Sequence, residues 1–218
     1  PLGRAVIGRA DVVAGSRPDV LRSFHAQRYG AHNVVLAAAG SVDHDALVAL
    51  AMAAEADALP DAAAPLAPPP PDTHEARVRF IRKDTEQYHV GLGAPGIARD
   101  DERRWALRVL DNVLGGTSSS RLFQEVRERR GLAYSVYSFS ALHAGTGQVG
   151  LYVGTRPDNV GEALRVVGAE LERFVADPAS EEELARSKEN VKGRTVLALE
   201  STSSRMNRLG SSVLAEMP

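Results

Sequence analysis

LGGTSSSRLFQEVRERRGLAYSVYS, residues 114–138, sets a glycine pair, four hydroxyl residues, an arginine-rich helix and the start of a strand in one unbroken run. Gly115 and Gly116 tolerate positive φ and the close approach of another chain. A hydroxyl from Thr117, Ser118, Ser119 or Ser120 can cap the helix behind them, so the run reads as a loop feeding a helix N-terminus. Over 120–130, Leu122, Phe123 and Val126 recur on one side at helical spacing, while Arg121, Arg127, Glu128 and Arg130 point elsewhere. Gly131 stops the helix. After it Tyr134, Val136 and Ser138 alternate with Ser135, Tyr137 and Phe139, the pattern of a half-buried strand. Backbone N–H groups and hydroxyls, with guanidinium groups carried toward a tyrosine, suit a peptide carbonyl, a carboxylate or a phosphate. Spacing alone does not separate that use from an ordinary turn and cap.

The rest of the composition narrows the setting. A chain of 218 residues holds one large domain or two small ones, and 44% hydrophobic residues can bury an ordinary core. With 26 basic and 28 acidic residues the net charge is −2, which leaves no electrostatic footprint for nucleic acid. The absence of cysteine excludes disulfides and thiolate metal sites. No apolar run reaches the roughly 18 residues of a membrane span, and the first residues are no signal peptide. A start at Pro1 without methionine and a stop at Pro218 just after a helical pattern lead us to expect an excised piece of a longer protein.

Before the decisive run, residues 1–15 read as irregular or edge-strand material. Ser16 reads as an N-cap with Asp19 three residues on, opening a helix with Val20, Leu21, Phe24 and Tyr29 that stops at Gly30. NVVLAAAG (33–40) is short and apolar enough for a buried strand. Asp43 then caps a helix with Leu47, Leu50 and Ala54 inward. Four prolines at 68–71, inside ADALPDAAAPLAPPPPDTHE (56–75), mark an extended linker. RVRFIRK (77–83) and QYHVGLGAPG (87–96) read as two successive strands, and 101–113 as a helix with Trp105, Ala106, Val109, Leu110 and Val113 on its apolar face.

Beyond the decisive run, HAGTG (143–147) turns into a returning strand with Val149, Leu151 and Val153 on one face, making an antiparallel hairpin. Three helices follow. The first has Val160, Leu164, Val167, Leu171 and Phe174 in one stripe, the second opens on a capping box from Ser180 to Glu183, and the third aligns Met206, Leu209, Val213 and Met217. Strands beside segregated helices predict an α+β fold, an antiparallel or mixed sheet packed against helices, rather than a doubly wound one.

Chemistry by other routes is poorly served. His25, His32, His44, His74, His89 and His143 form neither HExxH nor HxxEH. Asp43, His44 and Asp45 read as a cap and solvated surface, and His89 as a strand packing residue. Ser118, Ser119 and Ser120 lack a G-x-S-x-G elbow, and GGTSSSR lacks the GK[ST] ending of a P-loop. Arg121, Arg129 and Arg130 read as a solvated basic face.

GGTSSSRLFQEVRERRGLAYSVYS closely resembles the second domain of the pitrilysin and mitochondrial-processing-peptidase family of zinc endopeptidases, the inverted zincins. PLG (1–3), Arg28-Tyr29 and VVLAAAGSVDHDAL (34–47) are similar to the end of that family's first domain. The resemblance implies a truncated tail of the zinc-bearing domain at 1–57, a Pro/Ala-rich linker at 58–75 and a second, non-zinc peptidase-like domain at 76–218. It maps the family's arginine and tyrosine, seven residues apart and facing the zinc site, onto Arg127 and Tyr134. These would hold the substrate carbonyl and stabilise the oxyanion, with Gly115, Gly116, Thr117, Ser118 and Ser119 binding substrate. Zinc, which would activate the attacking water, belongs to the full-length enzyme, with its HxxEH and third ligand upstream of Pro1. This piece alone is expected to hold no metal and to be inactive. Extended or unfolded peptides are the implied substrates, and pairing as a homodimer or with another peptidase subunit is implied, in a cytoplasmic setting without nucleic acid or membrane. Ala133 departs from the family, where some relatives have glycine. Two rivals are a non-catalytic scaffold or partner subunit of the same fold, distinguished by whether HxxEH precedes Pro1, and an anion- or nucleotide-binding module, distinguished by calorimetric titration.

Overall fold

The computed structural model describes residues 5–30, 33–55 and 75–215. They fall into two units, one drawn from Pro1–Ala67 and Thr202–Glu216, the other from Pro68–Ser201. The expectations for the four prolines and for His32, His74 and Met217 lie outside the described residues.

In the second unit three antiparallel strands, β1 (Tyr88–Gly96), β2 (Ala133–His143) and β3 (Thr146–Thr155), lie in the order β1-β3-β2. The expected hairpin joins β2 to β3 through Ala144 and Gly145, the glycine at φ 72°. Val136, Leu151 and Val153 are buried on one face. Against them pack Leu122 and Val126, with Ala163, Val166 and Val167 of helix α5 (Val160–Ala176). The fold is therefore α+β, as the alternation of segments predicts. In α5 the deepest residues are Ala163, Val166 and Val167, and the expected stripe of Val160, Leu164, Leu171 and Phe174 is the half-buried flank around them.

Helix α6 (Glu181–Ala198) opens on the expected capping box: Glu183 N–H donates to Ser180 Oγ at 3.2 Å, and Ser180 N–H donates to Glu183 Oε2 at 2.9 Å. Arg121, expected on a solvated face, instead has a side chain only 9% exposed. It grips both oxygens of Glu183 at 2.8 Å and also donates to the carbonyls of Asp177 and Pro178. This bidentate bond is the main reason the Glu183 carboxyl drops from 4.5 to about 2, outweighing desolvation. A depressed carboxyl stabilises the fold above its unfolded value and ceases to do so as pH falls through the folded one. Glu183→Gln is thus expected to cost about 1.5–3 kcal/mol at pH 7. In denaturant titrations the gap between parent and variant should close as pH falls from 4.5 toward 2.

Two predicted strands are absent. Residues 77–83 and 33–40 form no ladder, and Val78 is fully exposed. Alternation or apolarity chooses a strand's faces, but a strand also needs a neighbour, and none lies alongside these segments among the described residues.

In the first unit, helix α1 (Ala10–Ala14) occupies the stretch read as irregular. The Ser16 hydroxyl donates back to the Val12 carbonyl at 2.8 Å, so it finishes α1 instead of capping α2 (Pro18–Arg28). That helix begins at Pro18, whose missing N–H costs nothing there. Asp43 caps α3 (His44–Glu55) as expected, its Oδ1 accepting from Ala46 N–H at 2.8 Å. The inward face of α3 is Leu47 and Ala51, with the expected Leu50 and Ala54 exposed. Leu47, Ala51 and Val35 line an apolar groove with Leu209 and Val213 of α7 (Thr202–Leu214).

Candidate functional site

The glycine pair closes a helix rather than opening a loop. Helix α4 (Arg104–Asp111) runs on into a π turn at Asn112–Gly116. Val113 in that turn is buried, but Trp105 and Leu110 of the expected apolar face are exposed. Gly115 is buried against β2: a Cβ there would lie 2.3 Å from the Ser138 backbone nitrogen and 2.9 Å from its Cβ. Close approach, one of the two uses glycine permits, is the one the fold exploits. The Ser138 hydroxyl donates to the Asp111 carbonyl at 3.0 Å and also reaches its carboxylate. Burial pushes the Asp111 carboxyl above its ordinary range against that bond.

Gly115→Ala is therefore expected to destabilise the chain by about 2–3 kcal/mol, since β2 must give way. Gly168→Ala in α5 meets nothing within 4 Å and should stabilise by about 0.5–1 kcal/mol. Denaturant midpoints of the two variants check the contrast.

Past the glycines, Ser118 and Ser119 are exposed and Ser120 is buried. None of these hydroxyls caps the next helix as expected. Ser120 Oγ donates to the Thr117 carbonyl at 2.6 Å, and the Thr117 and Ser119 hydroxyls pair at 3.2 Å. Backbone bonds close the turn instead, from Ser120 N–H to Thr117 O and from Gln124 N–H to Ser120 O.

The helix that follows covers 121–128 and is π-wound at Phe123–Glu128, where the spacing predicts a plain α-helix over 120–130. It stops at Gly131, φ 59°, with Gly131 N–H donating to Arg127 O and Leu132 N–H to Val126 O, both at 2.9 Å. This is the glycine ending foreseen from the sequence.

Strand β2 then starts on a bulge: Ala133 pairs with Thr155 and Ser135 with Gly154, so Tyr134 is the extra residue. Alternation predicts Tyr134 on the face of Val136 and Ser138. Those two are buried, whereas Tyr134 is 76% exposed, because a bulge bends the strand and re-aims its side chain.

Arg127 and Tyr134 meet there. Arg127 Nη1 donates to the Tyr134 carbonyl at 2.8 Å, and its Cζ lies 4.5 Å from the Tyr134 ring centroid and 4.7 Å from that of Phe123. Glu128 offers Arg127 Nε a loose ion pair at 3.6 Å. A guanidinium held over two rings loses freedom of movement. The Tyr134 hydroxyl makes no hydrogen bond among the described residues. A half-buried cationic donor and an exposed hydroxyl donor thus stand side by side, a combination suited to a carbonyl oxygen that gains negative charge.

No hydrogen bond joins Thr117, Ser118 or Ser119 to this pair among the described residues. Their link is Gln124, on the same helix as Arg127, whose side-chain amide donates to the Ser118 carbonyl at 2.8 Å. Phe123, placed by spacing with the core, lies against Arg127 instead, and its position four residues earlier was the available signal. Glu125 is buried, and Arg129 and Arg130, exposed as the solvated-face reading expects, both pair with its carboxylate. The Arg130 bond is the main cause holding that carboxyl below its ordinary range.

Among the described residues no three His, Asp or Glu side chains group closely enough to hold a metal ion. The chain's own described residues therefore do not fit zinc. No described helix is long and apolar enough to cross a membrane.

The family model for the peptidase M16 inactive domain matches residues 17–191. A Streptomyces coelicolor protein named an uncharacterized zinc protease is 46% identical over 98% of this chain and 48% of its own length. A Bacillus subtilis protein of the same description is 35% identical over 98% of this chain and 51% of its own. The crystal structure of a peptidase M16 inactive domain from Pseudomonas fluorescens superposes with a TM-score of 0.89 at 28% identity, covering 98% of this chain and 51% of that one. The chain spans about half the length of the curated relatives it matches. On the strength of the matched model, and of relatives aligned along nearly its whole length, the chain belongs to the peptidase M16 inactive-domain family.

Proposed function

We propose that this chain is the non-zinc, substrate-holding half of a zinc metalloendopeptidase that cleaves extended or unfolded peptides. The observation that carries the reading is the pair itself, a half-buried Arg127 fixed by the Tyr134 carbonyl and two rings, beside an exposed Tyr134 side chain turned outward by a bulge. Arg127 and Tyr134 bind and orient the substrate carbonyl and meet the charge that develops on its oxygen. Gly115 brings the preceding helix onto β2 and Gly116 ends it, so that both glycines, with Thr117, Ser118 and Ser119, border the bound peptide. Residues 1–57 finish a zinc-bearing domain, 58–75 link, and 76–218 form the second domain, although its last helix, α7, groups with the first unit. Zinc is held by residues outside this chain. The subunit pairs with a copy of itself or another peptidase subunit, in the cytoplasm, and the names of its relatives support zinc-dependent proteolysis.

Tyr134→Phe in the whole protein removes one neutral donor and should lower kcat about 10-fold, with zinc content unchanged. Parent-level turnover in Tyr134→Phe would remove the tyrosine from the site. A whole protein without zinc would favour the scaffold reading.

A further inference from the structure

The π turn carrying Arg127 is wound around a buried acid. Glu125 is 5% exposed, and its carboxylate oxygens are shared out, Oε1 to Arg129 and Oε2 to Arg130. Arg130 Nη1 also donates to the Glu125 carbonyl at 3.0 Å. In an α-helix the residue four on lies over the first, whereas the residue five on has turned roughly 140° away. In a π turn the bonds run i to i+5, as from Arg129 N–H to Gln124 O at 2.9 Å, and positions four and five straddle the first. Two arginines on one carboxylate at i+4 and i+5 therefore match the π winding and not the α. Releasing the carboxylate would leave a buried charge unpaired, which the fold resists strongly.

We propose that Glu125 is a positioning residue: by clasping Arg129 and Arg130 it holds Phe123–Glu128 in the π winding, and so sets the Arg127 guanidinium against Tyr134. The proposal rests on reading Arg127 and Tyr134 as carbonyl donors. The contact of Phe123 with Arg127 does not select that winding, since the two lie four apart and would also meet in an α-helix.

The test is a double-mutant cycle in the whole protein, with peptide hydrolysis, zinc content and thermal midpoint recorded for each variant. Glu125→Gln should lower kcat about 10-fold with KM nearly unchanged, because a guanidinium shifted by a fraction of its reach still binds but no longer aligns. The double variant Glu125→Gln/Arg127→Ala should be no slower than Arg127→Ala alone, since both changes remove one function. Losses that multiply in the double variant, or a Glu125→Gln enzyme with parent kcat, would overturn the positioning role and leave the donor reading standing. An Arg127→Ala enzyme with parent kcat would overturn the donor reading itself, and the positioning role with it. If Glu125→Gln does not fold, Arg130→Gln opens the clasp from its exposed end and leaves Arg129 in place. It should cost about 3-fold in kcat, again with no further loss on top of Arg127→Ala.

Discussion

Replacing Arg127 by alanine in the whole protein is expected to lower kcat about 10²- to 10³-fold, with KM and zinc content nearly unchanged. The size follows from the difference between ground and transition states. A neutral substrate carbonyl gains little from a partly exposed guanidinium, while the oxyanion formed on attack gains much more, and only that difference enters kcat. The structure makes the effect specific to Arg127. Glu128 lies 3.6 Å away, too far to neutralise it by a close hydrogen bond, and the strong bond it does make is to a backbone carbonyl. Arg127→Lys should recover little of the loss, because an ammonium cannot keep the planar fork that serves Tyr134 O and the substrate together. Steady-state kinetics on one cleavable peptide decide the matter. A fall confined to KM would make Arg127 a binding residue only.

Much of the fold was legible because local rules and tertiary packing agreed. The hairpin, the Gly131 stop, the Asp43 cap and the Ser180 to Glu183 box each depend on a few neighbouring residues, and each is present. The failures share one cause, which is dependence on something distant in the chain. NVVLAAAG and RVRFIRK have strand composition, but neither joins a ladder among the described residues. Local rules place Gly115 in a loop because its partner, the Ser138 backbone, is distant in the chain. Arg121 looked solvated because Glu183 is far away in sequence.

For the candidate site, the choice of Arg127 and Tyr134 rested on resemblance, and the structure brings the two side chains together. Their geometry was not legible. Alternation assumes an unbroken ladder, and the bulge at Tyr134 shifts it by one residue. Helical spacing assumes α winding, and the buried Glu125 with two arginines marks a wider turn. Both departures fall on the residues that would touch substrate, as expected when local regularity gives way to function.

We propose that this donor pair serves a metal site outside the described residues, and that in a homodimer this site belongs to the partner. Whole subunits carrying Arg127→Ala should be mixed with whole subunits disabled in the metal-binding motif, and the mixed dimers verified by mass. Each parental dimer is expected to be nearly inactive. If the pair acts across the dimer, one site of the mixed species carries both defects and the other neither, so activity should return to about half the parent level for independent sites. Mixed dimers that stay as inactive as their parents would contradict action on the partner's metal site.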